Sequence, residues 1–93
     1  MPHFVYLARC ADDTLYVGRT EDLESPERTH NQGRGARYTA SRRPVSIVYS
    51  EAQDSLEGAV RREHQLKVWT RAKKEALIAG DIDRLKRLSK HRS

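Results

Sequence analysis

Two short runs near the N-terminus, Phe4-Val-Tyr-Leu-Ala-Arg-Cys10 and Leu15-Tyr-Val17, are separated by the four residues Ala11-Asp-Asp-Thr14. The runs are rich in β-branched and aromatic residues and the spacer has turn chemistry, so the pattern predicts a β-hairpin. An isolated hairpin is marginal in water, and three strands make the smallest sheet with a face worth covering. Pro44-Val-Ser-Ile-Val-Tyr-Ser50 reads as the third strand, with proline first, where a missing donor does least harm.

The cover comes from the second half of the chain. Asp54 followed by Glu57 has capping-box spacing, and Leu56, Ala59, Val60 and Leu66 recur at helical intervals, predicting a helix over about 55–69. Thr70 is placed to cap a next helix, Arg71 to Ala79, stopped by Gly80; Asp81 is placed to cap a last one, with Ile82, Leu85 and Leu88 on one stripe. Asn31 to Tyr38, with two glycines, two arginines and no apolar periodicity, reads as a basic loop.

At 93 residues the chain is expected to be one domain, with a basic helical extension from about residue 80. No apolar run is long enough to span a bilayer and the N-terminus lacks a signal-peptide pattern, so a soluble cytoplasmic protein without membrane contacts is expected. Cys10 is the only cysteine, which excludes an intrachain disulfide and a cysteine-rich zinc site; in an apolar strand it reads as a small hydrophobe.

The net charge of +5 is uneven: residues 1–60 carry 7 basic and 9 acidic side chains, residues 61–93 carry 11 and 4. A cationic end suits a polyanion, because Lys and Arg that neutralise phosphates release counterions; a solvated helical surface accounts for the same pattern.

Two strand tyrosines, Tyr6 and Tyr16, fall where paired strands bring both hydroxyls to one face, although strand tyrosines most often serve packing. Glu63 lies on the helical stripe that otherwise faces the core. Two reasons offer themselves: an ion pair with Lys67 at i+4, or a site for a hard divalent cation, for which one carboxylate plus waters and substrate phosphate suits magnesium. Tyr38 among Arg34, Arg37, Arg42 and Arg43 has the mixture that stacks on unpaired bases and grips phosphates, with a solvated loop as the alternative. His3 and His91 read as solvated, His64 points to a different helix face from Glu63, and Trp69 reads as packing.

Val5-Tyr6-Leu7, Leu15-Tyr16-Val17-Gly18, Asp22-Leu23-Glu24, His30-Asn31, Gly35-Ala36-Arg37-Tyr38-Thr39, Arg43-Pro44-Val45 and Arg61-Arg62-Glu63 occur in the order seen in GIY-YIG nuclease domains. Over about residues 4–78 the chain resembles the small stand-alone members of the UPF0213 type. The resemblance implies an α+β fold, a small three-stranded antiparallel sheet flanked by helices, and divalent-metal-dependent cleavage of phosphodiester bonds, with Mg2+ or Mn2+ as cofactor. It places Tyr6 and Tyr16 at the motif tyrosines, Tyr16 being first choice for helping to activate the attacking water. Gly18 matches the motif glycine, whose missing side chain lets backbone approach substrate. Glu63 matches the metal-binding glutamate and His30 a polar position on the first helix, while Arg19 stands where some members carry a basic residue.

One position departs. Four residues before His30 the family presents an arginine; here the residue is Pro26. Ser25 as N-cap with Pro26 at the first helical position makes a good helix start, stopped at Gly33, so this helix is expected to begin late. Arg28 is then the nearest guanidinium, about 200° around an ideal helix from the family position, and Arg19 supplies part of the charge without any shift. The resulting expectation is an endonuclease acting on DNA, branched or flapped forms included, with another protein supplying specificity. The alternative is a nucleic-acid-binding module on the same fold that has lost the chemistry.

Overall fold

The computed structural model describes residues 2–24 and 40–90. The three strands, β1 (His3–Cys10), β2 (Leu15–Thr20) and β3 (Val45–Gln53), form one sheet in the order β2-β1-β3 with both pairings antiparallel. Three helices follow: α1 (Leu56–Lys67), α2 (Arg71–Ala79) and α3 (Ile82–Lys90).

The connection between β1 and β2 closes as its residues dictate. Asp13 takes the left-handed conformation at φ 71° that aspartate tolerates in turns. Asp12 Oδ1 accepts from both the amide and the hydroxyl of Thr14, at 3.1 and 2.6 Å. The backbone amide of Cys10 donates to Thr14 O at 2.9 Å and ends the ladder.

Strand alternation then sorts the side chains. Val5, Leu7 and Val17 face the helices and form one core with Ala59 and Leu66 of α1 and Leu77 of α2. Tyr6, Ala8, Cys10 and Val45 form a second cluster with Tyr16, Leu23 and Ile47. Both faces of β1 are covered, so Val5 to Ala8 are four consecutive buried residues rather than an alternating series. Leu7 and Leu66 are among the largest fully buried side chains, each worth about 1.5–3 kcal/mol of apolar burial. Cys10 is buried, packed in the second cluster in the hydrophobe's role expected of it.

The helix boundaries follow their caps. Thr70 Oγ1 accepts from Lys73 N at 3.3 Å, Gly80 ends α2 at φ 70°, and Asp81 Oδ1 accepts from Arg84 N at 3.1 Å. The start of α1 differs by one residue from expectation: Ser55, not Asp54, is the N-cap, its Oγ accepting from Gly58 N at 3.0 Å. Either side chain has the right chemistry, and β3 running on to Gln53 leaves Ser55 at the first position where the backbone turns into the helix. β2 also runs three residues past Val17, so Gly18 lies inside a strand rather than ending one. The expected late helix at Ser25–Gly33 and the basic loop, with Pro26, Arg28, His30, Arg34, Arg37 and Tyr38, lie outside the described residues, as does His91.

Among the described residues no helix is long and apolar enough to cross a membrane.

Candidate active site

The β1–β2 register sets Tyr6 opposite Gly18 and Ala8 opposite Tyr16, so the two tyrosines and the glycine share one face of the hairpin. The phenol rings lie with centroids 6.4 Å apart and planes tilted by 46°. A Cβ built on Gly18 would fall 2.5 Å from the Tyr6 hydroxyl and 3.0 Å from a ring carbon of Tyr16. The room that glycine leaves is therefore filled by the tyrosine pair.

The tyrosines differ in environment. Tyr6 is 4% exposed and Tyr16 is half-buried. Burial, then the charges of Tyr16 and Glu63, push the Tyr6 phenol well above the usual tyrosine range. Tyr6 is thus a neutral hydrogen-bonding group at any ordinary pH, and Glu63 lies within electrostatic reach of it.

The residue after Gly18 points to the other face, towards the helices. Arg19 Nε donates to Glu63 Oε1 at 3.0 Å, and Lys67 Nζ lies 3.4 Å from Glu63 Oε2. Glu63, its side chain 16% exposed, has both oxygens facing a cation. The carboxylate that stood out on an apolar stripe thus pairs with Lys67 one turn on, and also with an arginine 44 positions away that helical spacing alone could not supply.

These residues fit a divalent cation in a restricted sense. Among the described residues no three His, Cys, Asp or Glu side chains cluster to hold a metal. Glu63 is a lone carboxylate, and only a cation that keeps most of its waters and takes other ligands from substrate phosphate suits such a donor. Magnesium is an ion of that kind.

Of the arginines grouped with Tyr38, Arg42 and Arg43 fall among the described residues, and Arg42 is tied to the turn end of the hairpin. Arg42 Nε lies 3.0 Å from Asp12 Oδ2, and its carbonyl accepts from Ala11 N at 2.9 Å. Arg43 Nε donates to Ala40 O at 2.9 Å. Arg19, paired with Val5, sits towards the opposite end of the same strands.

Two lysines border the tyrosine that the sequence reading did not place there. Leu15, Tyr16, Val17, Lys67 and Lys74 line an open pocket of about 240 Å³. Sequence spacing marks Lys67 only as an ion-pair partner of Glu63, and nothing in the sequence sets Lys74 apart from any other helical lysine. Trp69 packs on the helix-side core as expected, with Arg62 and Lys73 over its ring at 5.2 and 4.8 Å.

Residues 2–76 match the family described as the GIY-YIG catalytic domain. The chain is 47% identical over 79 residues to a UPF0213 protein of Natronomonas pharaonis, covering 85% of this chain and 93% of that protein. It is 45% identical over 76 residues to a UPF0213 protein of Staphylococcus aureus, covering 82% and 93%. A solution NMR structure of a UPF0213 protein from Bacillus halodurans aligns with a TM-score of 0.55 at 39% identity, over 85% of this chain and 84% of that one.

Proposed function

The chain belongs to the GIY-YIG catalytic-domain family, a family of nuclease domains, and on that premise we propose that it is a magnesium-dependent endonuclease hydrolysing phosphodiester bonds in DNA, branched and flapped forms included. The observation that carries the reading is the half-buried Glu63 carboxylate, set between Arg19 and Lys67 and within electrostatic reach of Tyr6.

In this reading Glu63 is the protein ligand of the cation, with Mn2+ as a substitute for Mg2+. A bound divalent cation supplies positive charge to phosphoryl oxygens and makes a coordinated water more acidic. Tyr16, the less buried tyrosine, orients the attacking water and takes part in moving its proton. Tyr6, held neutral by burial, serves as a fixed polar neighbour that keeps the Tyr16 ring in place. Arg19 has guanidinium donors beyond the one given to Glu63, and these face the charge that builds on the phosphoryl group.

Arg19 matters because the sequence carries Pro26 where the family has its arginine. Arg28 and His30 enter the reading from the sequence alone, as do Arg34, Arg37 and Tyr38 as strand contacts. Arg42 and Arg43 join them only if their contacts with Asp12 and Ala40 leave guanidinium donors for a phosphate.

Pro26 also favours a second reading, a module that holds nucleic acid without cutting it. Cleavage of DNA by the intact chain and by Glu63→Ala, with and without divalent metal, separates the two.

A further inference from the structure

The pocket beside Tyr16 is walled by Leu15, Tyr16 and Val17 of β2, by Lys67 near the end of α1 and by Lys74 of α2. β2 is an edge strand, so this wall opens to solvent along the side of the sheet. The lining contains two cations and no acidic side chain.

The three cations of α2 are differently engaged. Arg71 pairs with Asp13 and Glu75, at 2.9 and 3.0 Å. Lys73 is buried with its ammonium 4.8 Å from the centre of the Trp69 ring. Lys74 is half-buried, and among the described residues no carboxylate pairs with it. Burial holds its ammonium below the usual lysine range. A partly desolvated cation without a counter-charge is costly, and an anion entering the pocket offsets that cost.

Lys67 approaches the same space from the other side. Its ammonium has three donors and one faces Glu63 at 3.4 Å, so it can hold the carboxylate and an anion together. The apolar side chains of Leu15 and Val17 beside these cations suit the sugar that accompanies a backbone phosphate.

We propose that Lys67 and Lys74 form a phosphate subsite that grips the DNA strand beside the linkage to be cut, with Tyr16 as the wall shared with the catalytic centre. The inference rests on the nuclease reading for its ligand. It makes Lys74 a positioning residue: the lysine holds the strand and takes no part in the chemistry.

The test is binding of a short fluorescent DNA duplex to the full chain in EDTA, measured by anisotropy across a salt series. Lys74→Gln, Lys74→Arg and, as a control on the outer face of α3, Lys90→Gln are compared with wild type. One lost phosphate contact is expected to weaken binding roughly five-fold at physiological salt and to reduce the salt slope by about 0.9. Lys74→Arg is expected to keep most of the affinity and Lys90→Gln the wild-type slope. With magnesium present, Lys74→Gln is expected to raise KM and leave kcat unchanged.

Equal affinity and slope for wild type and Lys74→Gln overturns the subsite while leaving the nuclease reading standing. So does a fall in kcat at constant KM. Failure of the wild type to bind or cut DNA overturns the nuclease reading and the subsite with it.

Discussion

Gly18 stands directly across the hairpin from Tyr6, and a Cβ on it would lie 2.5 Å from the phenol oxygen and 2.6 Å from the ring carbon that bears it. The motif glycine and the motif tyrosine are therefore one packing unit. Gly18→Ala is expected to cost about 1–3 kcal/mol, the usual penalty of overpacking, because the buried Tyr6 ring has to move. In a Tyr6→Ala background the same substitution should cost much less, and a double-mutant cycle of urea unfolding measures the coupling. Strictly additive effects would mean that the glycine serves something other than the tyrosine.

Arg19 and Glu63 make the second test. Arg19→Gln is expected to lower the cleavage rate by about 10²–10³-fold, as for loss of one electrostatic donor, and to lower the magnesium concentration needed for half-maximal rate, because Glu63 loses a competing cation. A magnesium titration of the variant's rate reads both. A fall in rate with unchanged metal dependence would leave Arg19 without its role at Glu63.

The tyrosines should separate by rate. Burial keeps Tyr6 protonated throughout the working range, so Tyr6→Phe is expected to scale the rate and leave the shape of the pH–rate profile unchanged. Tyr16→Phe is expected to lower the rate more than Tyr6→Phe does, because Tyr16 orients the attacking water. Rate profiles of the two variants, taken on one DNA substrate, make the comparison.

Acid stability has an identifiable source away from the site. Arg9 forks onto Glu75, at 2.7 and 3.0 Å, and Arg71 adds a third contact at 3.0 Å. Arg9 chiefly, opposed by partial burial and helped by Arg71, holds the Glu75 carboxyl down at about 2 against an ordinary value of 4.5. A depressed folded-state pKa means that this stabilisation is complete above the unfolded value and is lost as pH falls through the folded one. Wild type should therefore lose stability between about pH 4.5 and pH 2, and Glu75→Gln should flatten that part of the profile. The group is a third exposed, so solvent screening keeps the effect modest. Urea midpoints at several pH values measure it.

Much of this was legible in the sequence because it is local. The hairpin was announced by two β-rich runs and a turn-forming spacer, and Thr70, Gly80 and Asp81 marked helix ends through side-chain or backbone chemistry that acts within a few residues. Glu63 drew notice because a carboxylate on an apolar stripe needs a partner, and the i+4 partner Lys67 was legible by spacing.

The rest depends on tertiary placement. The bond from Arg19 to Glu63 spans 44 positions and exists because α1 packs across β1 and β2. The predicted second strand stops at Val17, and the register of Gly18 against Tyr6 shows the strand continuing through it. Lys74 became distinct from Lys73 and Arg71 only when their surroundings were known. Asp54 and Ser55 offer the same capping chemistry one residue apart, so the choice between them fell to where β3 ends.

The most direct measurement is cleavage of labelled duplex, flap and four-way-junction DNA by wild type and by Glu63→Ala, with magnesium or manganese and again in EDTA, alongside a binding assay on the same substrates. Cuts that need the metal, vanish in EDTA and are lost in Glu63→Ala while that variant still binds DNA are the predicted result. Binding without cleavage under every metal condition, equal for the two proteins, would contradict the account and leave the fold as a recognition module.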